Sequence, residues 1–236
     1  MSSEAIVGSD LTTVKVEQSE LAYYATLDPP AFDVGERWGT FQSAIYDHLR
    51  RFKLRLSDIK VESATANPGD VSIACWMFNY GAVARYRLDR VEVWSNSQRV
   101  GHDTDLATEI VTETMAVVRR VSPGSQVTAH STNATIHGSL VPQGELAARI
   151  ATYVTKRPEG PLPLTPSGVS FLCDFPEGRG QGSIILERSA LVPDGALVRV
   201  MSDHAGSLSE RDALTQAIEF FQASTKRLGL DVVWTV

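Results

Sequence analysis

AHSTNATIHG, residues 129–138, carries two of the five histidines of the chain, seven positions apart, with only small residues, one isoleucine and one asparagine between them. Its reading decides how the molecule is divided. As one continuous strand it would turn His130 and His137 to opposite faces, about 23 Å apart by strand rise. A reversal at Asn133-Ala134 would make them a cross-strand pair, but that turn wants a residue at positive φ after Asn, which Ala resists. In the third reading the stretch is a junction, where the last strand of one half of the chain runs into the first strand of the next. Each histidine then belongs to a different half, and neither shares a site with the other.

The order of elements favours the junction. Helical periodicity marks about Glu36 to Phe52, with Phe41, Ile45, Leu49 and Phe52 on one face; about Thr104 to Val121; Gly144 to Thr155; and a segment after Ser207 whose stripe is Leu214, Ala217, Ile218 and Phe221 and whose stop is Gly229. Asp33 with Glu36, and Ser207 with Glu210, have capping-box spacing. Strand candidates are LAYYATL, DIKVESA, VSIACWMFNY, AVARYRLDRVEVW, ATIHGSLV, VSFLCDF, GSIILERSALV, ALVRVMSD and LDVVWTV. Pro193-Asp194-Gly195 predicts a hairpin, and Gly81 predicts a turn. In AVARYRLDRVEVW the apolar parity slips at Asp89-Arg90, which predicts a bulge. From Leu21 onward the order is β-α-β-β-β-α-β, twice. The first helices start near Glu36 and Gln143, and the caps of the second helices fall at Asp103 and Ser207, shifts of 107 and 104 residues. This predicts a tandem duplication, with residues 1–20 a tail or added edge strand around TTVKVE, 21–131 a first α+β half, and 132–236 a second. RPEGPLPLTPSGV, with four prolines, predicts an extended connection inside the second half.

Composition bounds the function. The 236 residues are 43% hydrophobic and 21% charged, ordinary globular values. A net charge of −6 argues against a nucleic-acid surface, which needs a clustered basic excess. The start of the chain lacks the basic and apolar regions of a signal peptide, and nowhere do eighteen apolar residues run together, so no membrane span and a cytoplasmic location are expected. Cys75 and Cys173 lie in apolar strand runs, so buried free thiols are expected. No metal site and no cofactor are expected.

Few residues invite chemistry. Gly178, Gly180 and Gly182 alternate, but a strand follows them, whereas a phosphate loop requires a helix N-terminus. GHDTDL offers His102, Asp103 and Asp105, ligands too close in sequence to converge on one ion, and is read as a helix cap. Asp203 and His204 repeat that composition ahead of the fourth helix. Arg85 and Arg87 share one face of their strand, where they either clamp an anion or pair with Asp89 and Glu92. His48 on the first helix and Glu145 on the third are the candidates for a general base.

The expected fold is α+β: two similar halves with mainly antiparallel sheets and helices on one face, tandem ferredoxin-like with an extra strand, or a double hot-dog as the alternative. The expected function is a non-enzymatic binding or assembly protein acting through sheet edges and the cleft between the halves. The alternative is an acyl-thioester hydrolase. Self-association or a protein partner is expected, because sheet edges must be covered and DVVWTV is apolar to its last residue.

Overall fold

A computed structural model describes residues 11–63, 71–96, 104–154, 166–174 and 180–234. Ten strands form one sheet: β1 (Thr12–Asp28), β2 (Ile59–Ser63), β3 (Val71–Met77), β4 (Ala82–Tyr86), β5 (Arg90–Asn96), β6 (Gln126–Val141), β7 (Gly168–Asp174), β8 (Gly180–Arg188), β9 (Ala196–Ala205) and β10 (Leu230–Trp234). The helices are the short α1 (Asp33–Glu36), α2 (Trp38–Leu49), α3 (Thr104–Val121), α4 (Glu145–Tyr153) and α5 (Glu210–Arg227). The strand order is β2-β3-β4-β5-β1-β6-β9-β8-β7, antiparallel throughout, with β10 added in parallel to the start of β1. The protein is therefore α+β with a mainly antiparallel sheet.

The quoted stretch lies inside β6, one uninterrupted strand paired with β1 on one side and β9 on the other. Alternation along β1 explains the layering. Leu21, Tyr23, Ala25 and Leu27 are buried and point to the helices, while Thr26 and Glu20 on the other face are exposed or half-buried. Across the pairings, Tyr23 lines up with Val93 of β5 and Ala84 of β4, and with Thr132 of β6 and Ser202 of β9. α2 and α3 cover the first part of this face, with Phe41 edge-on to Tyr86 and the Tyr86 hydroxyl donating to the Thr114 carbonyl. α4 and α5 cover the rest, with Tyr153 edge-on to Phe171. Phe220 of α5 rests where a side chain at Gly182 would have to go, 2.5 Å from its Cβ position. Among the described residues no helix or strand packs on the opposite face of the sheet.

Several local expectations are corrected. TTVKVE and LAYYATL form one 17-residue strand, β1, in the middle of the sheet. AVARYRLDRVEVW is not a bulged strand but the hairpin of β4 and β5, with Tyr86 opposite Val91 and Ala84 opposite Val93. Reversal at Arg87–Asp89 puts both apolar sets on the covered face, as the parity slip demanded, by another route. Four strands thus separate α2 from α3, against three between α4 and α5. Neither capping box forms. Asp33 sits within α1, where its carboxylate accepts from the Ser122 hydroxyl, and α5 is capped by Ser209, whose Oγ accepts from the Asp212 amide. The hairpin at Pro193-Asp194-Gly195 is present, with Asp194 at φ 53°, and Gly229 ends α5 at φ 67°. Cys75 is buried, with its thiol pushed up by burial, whereas Cys173 is only partly covered. The proline-rich connection lies largely at residues 155–165, outside the described residues.

Gly138 closes the quoted stretch against β1. A Cβ there would collide with the Lys15 carbonyl oxygen and with Val14. Gly39, in the first turn of α2, has open space around it. Gly138→Ala is expected to destabilise the protein by about 1–3 kcal/mol through overpacking, while Gly39→Ala stabilises by up to about 1 kcal/mol. Urea unfolding midpoints of the two variants check this pair of opposite signs.

Candidate functional site

Two polar assemblies stand out, one on each face of the sheet. The buried one lies beneath the start of α5. His130 and His204 are register partners on β6 and β9, both almost fully buried, beside Thr132 and Ser202. The Leu208 carbonyl, 3.0 Å from His130 Nε2, can only accept, so Nε2 carries a proton. A neutral ring then presents Nδ1 as an acceptor, and the Tyr23 hydroxyl donates to it at 2.7 Å. Burial, with Glu210 adding to it, pushes the Tyr23 phenol well above its ordinary range against the pull of Arg119. Glu210 is itself buried and ion-paired with Arg119 of α3. Thr132 and Ser202 share a 2.6 Å hydrogen bond, and His204 Nε2 lies 3.0 Å from the Ser202 hydroxyl. These groups satisfy one another, as buried polar groups must, and they pin the loop before α5 to the sheet. They form a structural network rather than a reaction centre, since the adjoining pocket, lined by Leu21, Tyr23, Val93, Ser95, Ala107, Ile110, Val111 and Leu214, is small and apolar.

The second assembly is on the open face. Glu92 of β5 is 5% exposed, and three arginines converge on it. Arg87 Nε and Arg90 Nε each lie 3.1 Å from its Oε1, and Arg85 Nη1 lies 3.3 Å from its Oε2. Arg85 also reaches Glu62 of β2 through Nε at 3.2 Å. A buried carboxylate requires such partners. Tyr24 is opposite Glu92 in register and stands edge-on to Trp94, with ring centroids 6.0 Å apart. Burial and then Glu92 push the Tyr24 hydroxyl up, opposed by Arg90 and Arg85. Lys60, over the ring of Tyr80, and Trp76 continue the same surface.

The sequence candidates are thereby placed. Arg85 and Arg87 share the open face, and their ion-pair partners are Glu92 and Glu62, not Asp89. Glu92 is thus the partner the sequence offered, whereas the part of Arg90 in the cluster was missed by reading the segment as one strand. His48 Nδ1 donates at 2.7 Å to Glu113 of α3, which Arg51 also binds, between the two helices. Glu145 opens α4, on the other side of the seam. Among the described residues no hydrogen bond or ion pair links it to His48. His137 faces away from His130, half-buried on the open face, with Nδ1 2.9 Å from the Ser189 hydroxyl. Burial, then Arg199, lowers its pKa. Asp105 lies in the first turn of α3, and Gly180 and Gly182 lie in β8, whereas His102, Asp103 and Gly178 fall outside the described residues. Among the described residues no helix is long and apolar enough to cross a membrane. No protein-family model and no curated protein matches the chain.

The buried network makes stability depend on pH. Burial, and then the neighbouring His130, lower the His204 pKa from its ordinary 6.5, against Asp203 and Gln216. The folded state favours neutral His204, so the unfolded chain binds the proton first as pH falls. Its contribution is complete above about pH 6.5 and is lost as pH drops from there toward the lowered folded value. The urea midpoint is expected to fall between pH 7.5 and 5.5, and His204→Gln, which has nothing to protonate there, is expected to flatten that fall. Parallel pH profiles for the two proteins would contradict this account.

Proposed function

We propose that the chain is a non-enzymatic binding and assembly protein that works through its sheet, with the β7 edge as an assembly surface for a second copy. The observation that carries this is the contrast between the two outer strands. β2, IKVES, carries Lys60 and Glu62, charges that blunt an edge. β7, GVSFLCD, has no charge before its last residue, pairs with β8 alone among the described residues, and holds Leu172 89% exposed. A second β7 laid antiparallel about Phe171 would place Val169 opposite Cys173 and Phe171 opposite its own copy, with no like charges facing within that span.

A duplicated build belongs to the same reading. β1 and β6 are both long strands that end at a proline and lead to a helix. Each pairs with the last strand of a following meander, β5 or β9, and each meander is followed by an 18-residue helix. Binding is favoured over an acyl-thioester hydrolase because His48 is engaged by Glu113 between α2 and α3 and Glu145 stands on a helix across the seam.

Size-exclusion chromatography with light scattering is expected to show a dimer or higher species for the wild type and a monomer for Leu172→Lys. A wild-type monomer at tens of micromolar would overturn the edge assignment. Turnover of small acyl or phosphate esters by the purified protein, titrating with one side chain, would overturn the non-enzymatic reading.

A further inference from the structure

The arginine cluster around Glu92 holds more cation than its carboxylates neutralise. Arg85, Arg87, Arg90 and Lys60 share the open face with Glu62, Glu92 and Glu20, whose charge also acts on Tyr24, an excess of one positive charge on a chain whose net charge is −6. The way the charges are shared matters more than the sum. Glu92 Oε1 accepts from Arg87 Nε and lies 3.1 Å from Arg90 Nε, and Arg85 uses Nε and Nη1 on two different carboxylates. Arg87 and Arg90 make no other ion pair among the described residues, so the Nη ends of two guanidiniums are gathered beside one buried carboxylate with no acid of their own. A guanidinium held through Nε keeps its outer N–H groups in the planar fork that grips an oxyanion from two sides. Glu92 therefore acts as a positioning residue, paying the cost of crowding like charges at one place on an otherwise acidic molecule.

Beside this cationic end lies an aromatic one, two rings set edge-on to each other. Tyr24 adjoins Glu92 across the β1–β5 pairing, and Trp94 stands two residues along β5 on the same face, with Val83 and Ala22 as its register partners. Both aromatic rings are half-buried, so each offers part of its surface to solvent. Rings next to a guanidinium pair suit a ligand that carries an oxyanion on a planar body, since ring stacking and charge pairing act at opposite ends of one small molecule.

We propose that the open face of the sheet at Arg87, Arg90, Tyr24 and Trp94 binds a small planar aromatic acid, its carboxylate or equivalent oxyanion held by the two guanidiniums and its ring laid against Tyr24 and Trp94. The proposal rests on the reading of the chain as a binding protein that uses its sheet, and it is separable from assembly at β7. The field at the site favours anions of any kind, but the rings select those with a flat apolar part, so a bare inorganic anion fits only half of the site.

Titration calorimetry of the full chain with 2-naphthoate, its uncharged 2-naphthamide and inorganic sulfate tests this, with tryptophan fluorescence as a second readout. Naphthoate is expected to bind at least tenfold more tightly than either of the other two and to change the tryptophan emission. Arg87→Gln with Arg90→Gln is expected to weaken naphthoate at least tenfold, leaving the elution volume of the wild type unchanged. Should the double variant unfold, Arg90→Gln alone, at the more exposed arginine, is expected to weaken naphthoate severalfold. Trp94→Leu is expected to bring naphthoate down to the affinity of sulfate. Naphthamide binding as tightly as naphthoate, undiminished binding in a folded arginine variant, or no naphthoate binding at millimolar concentration would each overturn the site. Loss of the dimer in Leu172→Lys with naphthoate binding intact would leave it standing, whereas a wild-type dimer that binds no naphthoate would sink it and spare the β7 edge.

Discussion

Along the seam between β1 and β6, Val14 lies opposite Leu140, Leu21 opposite Ala134 and Tyr23 opposite Thr132, and the place of every other strand follows from that pairing. Each of the two strands is flanked on its far side by a meander, β5 to β2 in one direction and β9 to β7 in the other. Because side chains alternate with period two, the register of this one pair decides which residues of the whole sheet meet the helices. It is adjusted between Thr26 and Leu27 near the end of β1 and, near its start, between Val16 and Gln18. Gly138 sits at that shift, and the two backbones approach so closely there that no side chain fits. β10 then completes the seam by lying alongside Thr12–Val16, which ties the end of the described chain to its beginning.

The same alternation separates two kinds of polar chemistry. Tyr23 and Tyr24 are neighbours in sequence, yet one donates to a buried histidine beneath α5 and the other stands beside an arginine cluster on the open face. On the covered side, Tyr23, His130, Thr132, Ser202 and His204 hydrogen-bond within one cluster. Each must find a partner because no water competes, and their exchange of hydrogen bonds fixes the tautomer of His130. On the open side, solvent screens charge, so three guanidiniums tolerate one another around Glu92 at modest cost. The first set ties α5 to the sheet, and the second leaves guanidiniums facing solvent, where the proposed ligand would meet them.

Features set by local pattern were legible in the sequence. The stripes of all four longer helices lie on the covered face, α3 spans the expected residues, and the Pro193-Asp194-Gly195 reversal is where its turn residues put it. For the quoted stretch the structure agrees with the continuous-strand reading, which turns its two histidines to opposite faces. What escaped were features fixed by partners distant in sequence. Tyr23 and His130 are 107 residues apart, and nothing in either neighbourhood announces the other. Ser207 lost the cap to Ser209 because Glu210, buried against Arg119, was drawn into an interhelical ion pair and could not serve a capping box. β1 was divided because its middle, EQSE, reads as polar, although Ser19 there is buried on the covered face.

The reversal at Arg87–Asp89 was the most consequential feature hidden from the sequence, because it builds the open-face site. Leu88-Asp89 lacks the glycine or asparagine of a two-residue hairpin, so local signals favoured a continuous strand. In such a strand Arg85 and Arg90 would stand about 17 Å apart. Reversal brings both to the same carboxylate and places Arg87 between them. It also sets Glu92 in register with Arg85 on one side and Tyr24 on the other, so that the charge and the ring are neighbours. The cluster depends on the turn in this way, and the turn in turn is held by the apolar pairs Tyr86–Val91 and Ala84–Val93 on the covered face. The helix layer thus holds in place a site that lies on the other side of the sheet.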